Sequence, residues 1–316
     1  MEDAAIGHAP LAPRLMERQV GPYCIREKLL IQTEPDMWLP MYLIRPRNVP
    51  TSAKLPAILF PHGSCAGKLQ FAPDETADMQ DPATFDRWPM PYQFAHQLGC
   101  LVLIPDRRGW GEWSEANHGQ QSERAWRAGY NIVAMDMWDH CRAIDYLAQR
   151  PDVDLNRIVS MGSSGGGWVT MFMLAADERV AGGIVSSSLA NLPSLPEHYF
   201  FQMHDSDAVL PEPQMPLAPA TMLSLAAPRP LWIMDGKWDR GVLPPSPHTK
   251  ETAAAAFARW HAEANAGRDE VARMYRLMDA EHHFQASWFE GDHLAGFTLN
   301  NIAPWLKQHF GIEHSK

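Results

Sequence analysis

The sequence predicts an α/β fold, a mostly parallel sheet with helices on both faces. Two observations carry that expectation. Short, continuously apolar runs such as Leu55–Phe60, Cys100–Pro105 and Val180–Ser186 alternate with longer segments of three- and four-residue apolar spacing. Each run is too short for a helix and apolar at nearly every position, as strands buried on both faces are.

The order along the chain follows from the same signals. After a polar start, Tyr23–Thr33 and Trp38–Arg45 read as strands, and Leu55–Phe60 as a buried strand closed by Pro61-His62-Gly63. A proline-rich, acidic loop at Ala72–Pro91 precedes a short helix near Tyr92–Gln97. The strand Cys100–Pro105 then runs into Asp106-Arg107-Arg108-Gly109-Trp110-Gly111. Val133, Met137, Cys141, Ile144 and Ala148 share one helical face, predicting a helix over Val133–Gln149 that Pro151 ends. Strand Arg157–Met161, helix Gly165–Ala176, strand Val180–Ser186 and strand Pro230–Met234 come next. Helices near Ala253–Asn265 and Asp269–Ala280, strand Phe284–Phe289 and helix Leu299–Phe310 complete the chain. Residues 1–316 are expected to form one domain. Within it, 1–22 is an N-terminal extension and 189–227 a loop-rich cap or insertion over the sheet.

Composition removes several function classes. The 316 residues are 46% hydrophobic and 20% charged, which supplies a core and argues against disorder. A formal net charge of −10 makes nucleic acid or an anionic membrane surface a poor partner. No apolar run approaches the roughly 18 residues of a membrane span. The start MEDAAIGHAPLAPRLMERQ has no basic leader followed by an apolar stretch, so a cytoplasmic location is expected. Cys24, Cys65, Cys100 and Cys141 are widely spaced, without a CxxC pair, and read as free thiols. Neither H-E-x-x-H nor a cysteine/histidine cluster occurs, so no metal and no cofactor are implied.

The sharpest chemical signal is Met161-Gly162-Ser163-Ser164-Gly165-Gly166-Gly167 between a predicted strand and helix. It fits G-x-S-x-G centred on Ser164, whereas Ser163 has Met161 where the first glycine should stand. A nucleophile on so tight a strand-to-helix turn needs small neighbours two positions either side, and the helix behind it aims amide N–H groups at the reaction centre. The plainer reading is a glycine-rich turn that packs a helix on a sheet.

Serine attack at neutral pH needs a base, and the base needs an orienting carboxylate. Past the next strong strand lies Leu231-Trp232-Ile233-Met234-Asp235-Gly236-Lys237-Trp238-Asp239. Asp239, beyond the glycine, can project over the sheet edge where such sites collect and is preferred to Asp235. Surface turn chemistry would explain either. For the base, His293 sits in a loop between the last strand and last helix and is preferred to His282 and His283, which can simply cap a helix end. The developing oxyanion needs donors, expected from the backbone N–H groups of Gly165 and Ser64. Trp88, Trp110, Trp113 and Trp238 could wall a substrate pocket, although ordinary packing uses tryptophan equally well. Two motifs fail on inspection. Gly63–Lys68 is one residue short of a phosphate loop, and Gly109-x-Gly111 lacks a third glycine at 114.

With these residues in place the chain resembles the α/β-hydrolase superfamily. Within it, the chain looks like the acetyl-xylan esterase, dienelactone hydrolase and prolyl-oligopeptidase-like esterase group. Pro56–Gly63, Pro105–Gly111, Asp139–Gly167, Ala227–Asp239 and Gly291–His293 carry the likeness, from about residue 55 onward. The resemblance implies an α/β-hydrolase fold with an eight-stranded sheet, a Ser164–Asp239–His293 triad and oxyanion donors at Gly165 and Ser64. It departs from the group at Leu189–Ala227 and Cys65–Lys68. The expected activity is cleavage of small-molecule carboxylic esters through a covalent acyl-enzyme. A small-peptide or amide hydrolase on the same triad, and a non-catalytic binding protein of this fold, are the rivals. Apolar residues around the C-terminal helix leave room for a homo-oligomer.

Overall fold

Where every residue of a strand is apolar, successive side chains enter opposite faces of the sheet, and both faces must be covered. The computed structural model describes residues 9–47, 49–50, 52–74, 79, 87–115, 118–188, 219–239 and 252–313. Its strands do this residue by residue. Leu101 and Leu103 join one hydrophobic cluster while Val102 and Ile104 join the other, and Leu231/Ile233 and Trp232/Met234 divide in the same way.

The described strands are β1 (Arg14–Val20), β2 (Cys24–Glu34), β3 (Met37–Pro46), β4 (Leu55–Leu59), β5 (Leu101–Pro105), β6 (Val153–Ser163), β7 (Gly182–Ser186), β8 (Leu231–Gly236) and β9 (Phe284–Phe289). They form one sheet in the order β1-β2-β3-β5-β4-β6-β7-β8-β9. The pairs from β5 to β9 are all parallel, and β1, β2 and β3 add antiparallel strands at one side. This is the mostly parallel α/β architecture expected, with nine described strands where the resemblance implied eight. The additional strand is β1, which lies within the predicted N-terminal extension and pairs with β2.

On one face lie α3 (Ile132–Ala148), α4 (Gly165–Ala176), α5 (Pro219–Ser224) and α6 (Ala253–Leu277). Ile144, Leu147, Val169, Met171, Leu223 and Val271 fill that layer. On the other lie α1 (Met90–Leu98) and α7 (Leu299–Phe310), which contribute Phe94, Leu98, Ile302 and Leu306. Asn131 starts α3 by accepting the N–H groups of Val133 and Ala134 at 2.9 and 3.1 Å. A polar helix that the sequence pattern did not single out, α2 (His118–Arg127), lies mostly exposed.

The two helices expected on either side of Gly267 are one, α6. The helix continues because Arg268, buried, donates to Asp235 and lays its guanidinium 3.9 Å from the Trp288 ring centroid. Anchoring of that strength outweighs the roughly 1 kcal/mol a mid-helix glycine costs. Of the predicted insertion, 189–218 lies outside the described residues and 219–227 contains α5. No described helix is long and apolar enough to cross a membrane. All four cysteines are free thiols.

Candidate active site

Six parallel strands end at one edge of the sheet, so the loops leaving β4 to β9 converge there. β6 delivers Ser164. Its backbone has φ 57° and ψ −129°, a conformation that L-residues adopt only under constraint. The constraint comes from close packing on both sides. A Cβ on Gly162 would lie 2.4 Å from the Gly166 carbonyl oxygen, and one on Gly166 would lie 2.1 Å from that of Pro61. Only glycine fits at either position. The Ser164 N–H donates to the Ser186 carbonyl at 3.0 Å, while its own carbonyl accepts from Gly167 and Trp168 and begins α4.

The loop after β4 crosses over this turn. A Cβ on Gly63 would sit 3.3 Å from the Ser164 Cβ and 3.9 Å from the Gly165 nitrogen. Ser64, the next residue, is therefore carried to the mouth of the turn. His62 holds the loop from beneath. It is fully buried, its Nε2 accepts the Arg107 N–H at 3.0 Å, and its Nδ1 lies 2.8 Å from the Gly63 carbonyl. Those partners assign the proton to Nδ1. Burial first, then the adjacent Arg107 guanidinium, holds His62 well below the usual imidazole range, so it stays neutral.

Arg107 in turn donates from Nε to Asp136 at 3.0 Å, and Arg108 grips Asp139 with two bonds of 2.7 and 2.9 Å. Both carboxylates lie on the buried face of α3, next to His140. Burial depresses His140 to about 4. Further along the same loop, Lys68 is buried. It donates its amine to Asp106 at 2.5 Å and to Glu112, and its N–H to Asp106 at 2.8 Å. The sequence pattern left this polar support unassigned. An isolated lysine or aspartate in a loop carries no local pattern that announces its partner 38 positions away.

Asp239 and His293 are brought together. Asp239 is fully buried, and both carboxylate oxygens face His293 Nδ1, at 2.8 and 2.9 Å. Backbone bonds keep the two loops in register: Lys237 N–H to Phe289 O at 2.9 Å and Trp238 N–H to Gly291 O at 3.0 Å. Asp235 is engaged elsewhere. It ends β8 buried against Arg268, and burial raises its pKa despite that cation. His282 and His283 stand at the other end of β9, where His283 Nδ1 lies 2.7 Å from the Pro228 carbonyl. A six-residue strand separates them from the His293 loop, about 20 Å at the strand rise per residue.

The tryptophans divide. Trp88 is corrected: it packs on Tyr23 and His96 in the core, beside the start of β2, at the edge opposite Ser164. Cys24 of β2 pairs with Pro46, the end of β3 remote from the Met41–Pro105 pairing, and this fixes that position. Its aromatic character served packing. Trp113 donates from Nε1 to the Trp38 carbonyl at 3.0 Å, and Trp110 packs on His118. Trp238 is 52% exposed next to Asp239, edge-on to Phe257 at 5.8 Å.

A strained serine between packed glycines, and a buried carboxylate on a loop histidine, now stand at one sheet edge in the chain order Ser, Asp, His. The prolyl oligopeptidase family model matches residues 87–313, which include all three. The chain belongs to the prolyl oligopeptidase family. Outside the family model, it is 26% identical over 227 residues to YtaP of Bacillus subtilis (strain 168), whose name calls it a hydrolase. That match covers 72% of this chain and 73% of YtaP. Among solved structures, a Bacteroides fragilis NCTC 9343 protein named as an acetyl xylan esterase superposes with a TM-score of 0.65 at 15% identity. The superposition covers 90% of this chain and 71% of that one. An esterase of Pyrococcus furiosus matches with a TM-score of 0.56 at 14% identity, over 96% of this chain and 100% of its own. These likenesses show the α/β-hydrolase fold that the family shares.

Proposed function

We propose that this family member is a serine carboxylesterase. The observation that carries the proposal is the Asp239–His293 pair at the same sheet edge as the strained Ser164. Asp239 accepts the Nδ1 proton of His293, which leaves Nε2 as the base. Ser164 Oγ attacks the ester carbonyl carbon as His293 Nε2 takes its proton. The oxyanion collapses, the C–O bond to the alcohol breaks, and His293 returns the proton to the leaving alkoxide. Water then repeats the sequence on the acyl-enzyme and releases the acid. Gly165 N–H, at the start of α4, and Ser64 N–H are the proposed oxyanion donors. Trp110, Trp113 and Trp238 remain the candidates to line the approach. Esters are the preferred substrates because both solved structures named above are called esterases and are matched over most of their length. The family's name favours a second reading, cleavage of short peptides or amides on the same triad.

The test compares wild type with Ser164→Ala on p-nitrophenyl acetate, butyrate and octanoate and on a peptide p-nitroanilide. Turnover of esters that falls by about three orders of magnitude in the variant supports the reading. Faster anilide than ester turnover, lost in the same variant, would select the peptidase. No labelling of the wild type by a fluorophosphonate would show a hydrolase fold that binds without catalysing.

A further inference from the structure

β7 leaves the sheet through three consecutive serines, and each is bonded to the site. The Ser186 carbonyl accepts the Ser164 N–H at 3.0 Å. The Ser187 N–H donates to the Met234 carbonyl on β8 at 3.0 Å, and its hydroxyl donates to the carbonyl of His293. The Ser188 hydroxyl lies 2.7 Å from the carbonyl oxygens of both Ser164 and Ser186. Three residues thus touch the nucleophile's turn, the strand that leads to the acid, and the backbone of the base.

Ser187 is the unusual member. It is buried and has φ 52°, a left-handed conformation that serine rarely adopts. Backbone held there persists only where its surroundings over-determine it. Here the surroundings are the Met234 bond on one side and the His293 carbonyl on the other.

We propose that Ser187 is a positioning residue for the base. Its hydroxyl clamps the His293 carbonyl and so fixes the pivot from which the imidazole reaches Ser164. The inference rests on the triad reading above. Its physical motive is the nature of the base loop. His293 is 29% exposed on a segment bounded by Gly291 and Gly296, both at positive φ. The Asp239 bond fixes the Nδ1 side of the ring and the Trp238–Gly291 bond holds the loop two residues earlier, while the Ser187 hydroxyl acts on the carbonyl of His293 itself. A displacement of about 1 Å between base and nucleophile can cost on the order of 100-fold in rate.

The experiment measures kcat and KM for p-nitrophenyl acetate, and the rate of fluorophosphonate labelling, in Ser187→Ala, Ser187→Gly and Ser164→Ala. Rates are normalised to the folded fraction read by circular dichroism. Both Ser187 variants are expected to lose about 10- to 100-fold in kcat with KM changed less than about twofold, and labelling should slow in parallel. Glycine also relieves the backbone strain, which separates the two roles. If Ser187→Gly keeps wild-type kcat while Ser187→Ala loses it, backbone conformation rather than the hydroxyl matters, and the inference is overturned. Wild-type kcat in both variants overturns it as well. Activity surviving in Ser164→Ala defeats the triad reading itself. An inactive Ser164→Ala beside unimpaired Ser187 variants defeats only this inference.

Discussion

The two halves of the proposed triad are held by different physics. Around Ser164 the restraint is steric: backbone oxygens stand where side chains on Gly162 and Gly166 would begin, and buried His62, Arg107 and Asp136 brace the loop above. On His293 itself it is polar and partly open to solvent, with Asp239 on the ring and Ser187 on the carbonyl. The residue before it is packed closely, since a Cβ on Gly236 would lie 2.2 Å from the Asp292 carbonyl oxygen. A nucleophile fixed by packing and a base fixed by hydrogen bonds should fail in different ways. Packing tolerates no extra atom, whereas a hydrogen bond can be lost with the fold intact.

Asp239→Asn tests the polar half and should have the largest effect. The side chain keeps its size but can present an N–H to the imidazole and favour the wrong tautomer, so kcat should fall about 10⁴-fold. Thermal midpoint and circular dichroism should show the chain still folded. Unfolding of this variant would mean that the Asp239–His293 bond secures the fold as well as the base.

Gly166→Ala tests the steric half. One methyl group would meet the Pro61 carbonyl oxygen, which is backbone and cannot swing aside. Overpacking of this kind typically costs about 1–3 kcal/mol, toward the upper end when the neighbours are rigid. Stability by denaturant titration and activity should therefore fall together. A variant that kept wild-type stability would show that the turn gives, and the contrast would collapse.

Acid sharpens the comparison further. His140 is buried behind the nucleophile loop, with its pKa lowered to about 4 in the fold and near 6.5 when unfolded. The unfolded chain binds the proton more readily, so the stabilising difference is present above pH 6.5 and lost as pH falls toward 4. At most about 3 kcal/mol is involved, because each tenfold change in proton affinity is worth about 1.36 kcal/mol. His62 is displaced in the same direction and adds to the trend. Asp139 beside it, raised by burial to about 6, opposes the trend, so the effect to measure is a difference. Between pH 7 and 4 the wild type should lose more unfolding free energy, or gain less, than His140→Gln. An equal slope in that variant would place the acid sensitivity elsewhere.

Much of this was legible in the sequence, for identifiable reasons. The buried strands announced themselves because parallel strands covered on both faces are apolar at every position, as in Leu101–Pro105. The elbow was legible because its glycines are forced by close approach, and a forced residue leaves a pattern. Asp239 and His293, 54 positions apart, could be nominated only by chain order and their place at the end of a strand. β1 escaped notice because a bulge between Leu15 and Glu17 breaks the alternation that identifies an edge strand. Trp88 was misplaced because aromatic content does not say which end of a sheet a ring will occupy. Ser187 was invisible as anything but a polar residue at a strand end, since its meaning lies in a carbonyl 106 positions away.

The strand order has a further consequence, for folding kinetics. Every parallel pairing in the sheet joins segments separated by a crossover. β4, for example, lies between β5 and β6, and β6 starts almost a hundred residues further along the chain. Contacts of such long range close slowly, because loop entropy is lost before any pairing repays it. The loops carrying Ser64, Ser164, Ser187, Asp239 and His293 leave the five contiguous strands β4, β6, β7, β8 and β9, so they meet only when all four of those parallel pairings are made. Helical contacts are local and close quickly, whereas the arrangement around Ser164 needs four long-range registers. Regain of activity is therefore a stricter clock for the native state of this chain than regain of helical signal.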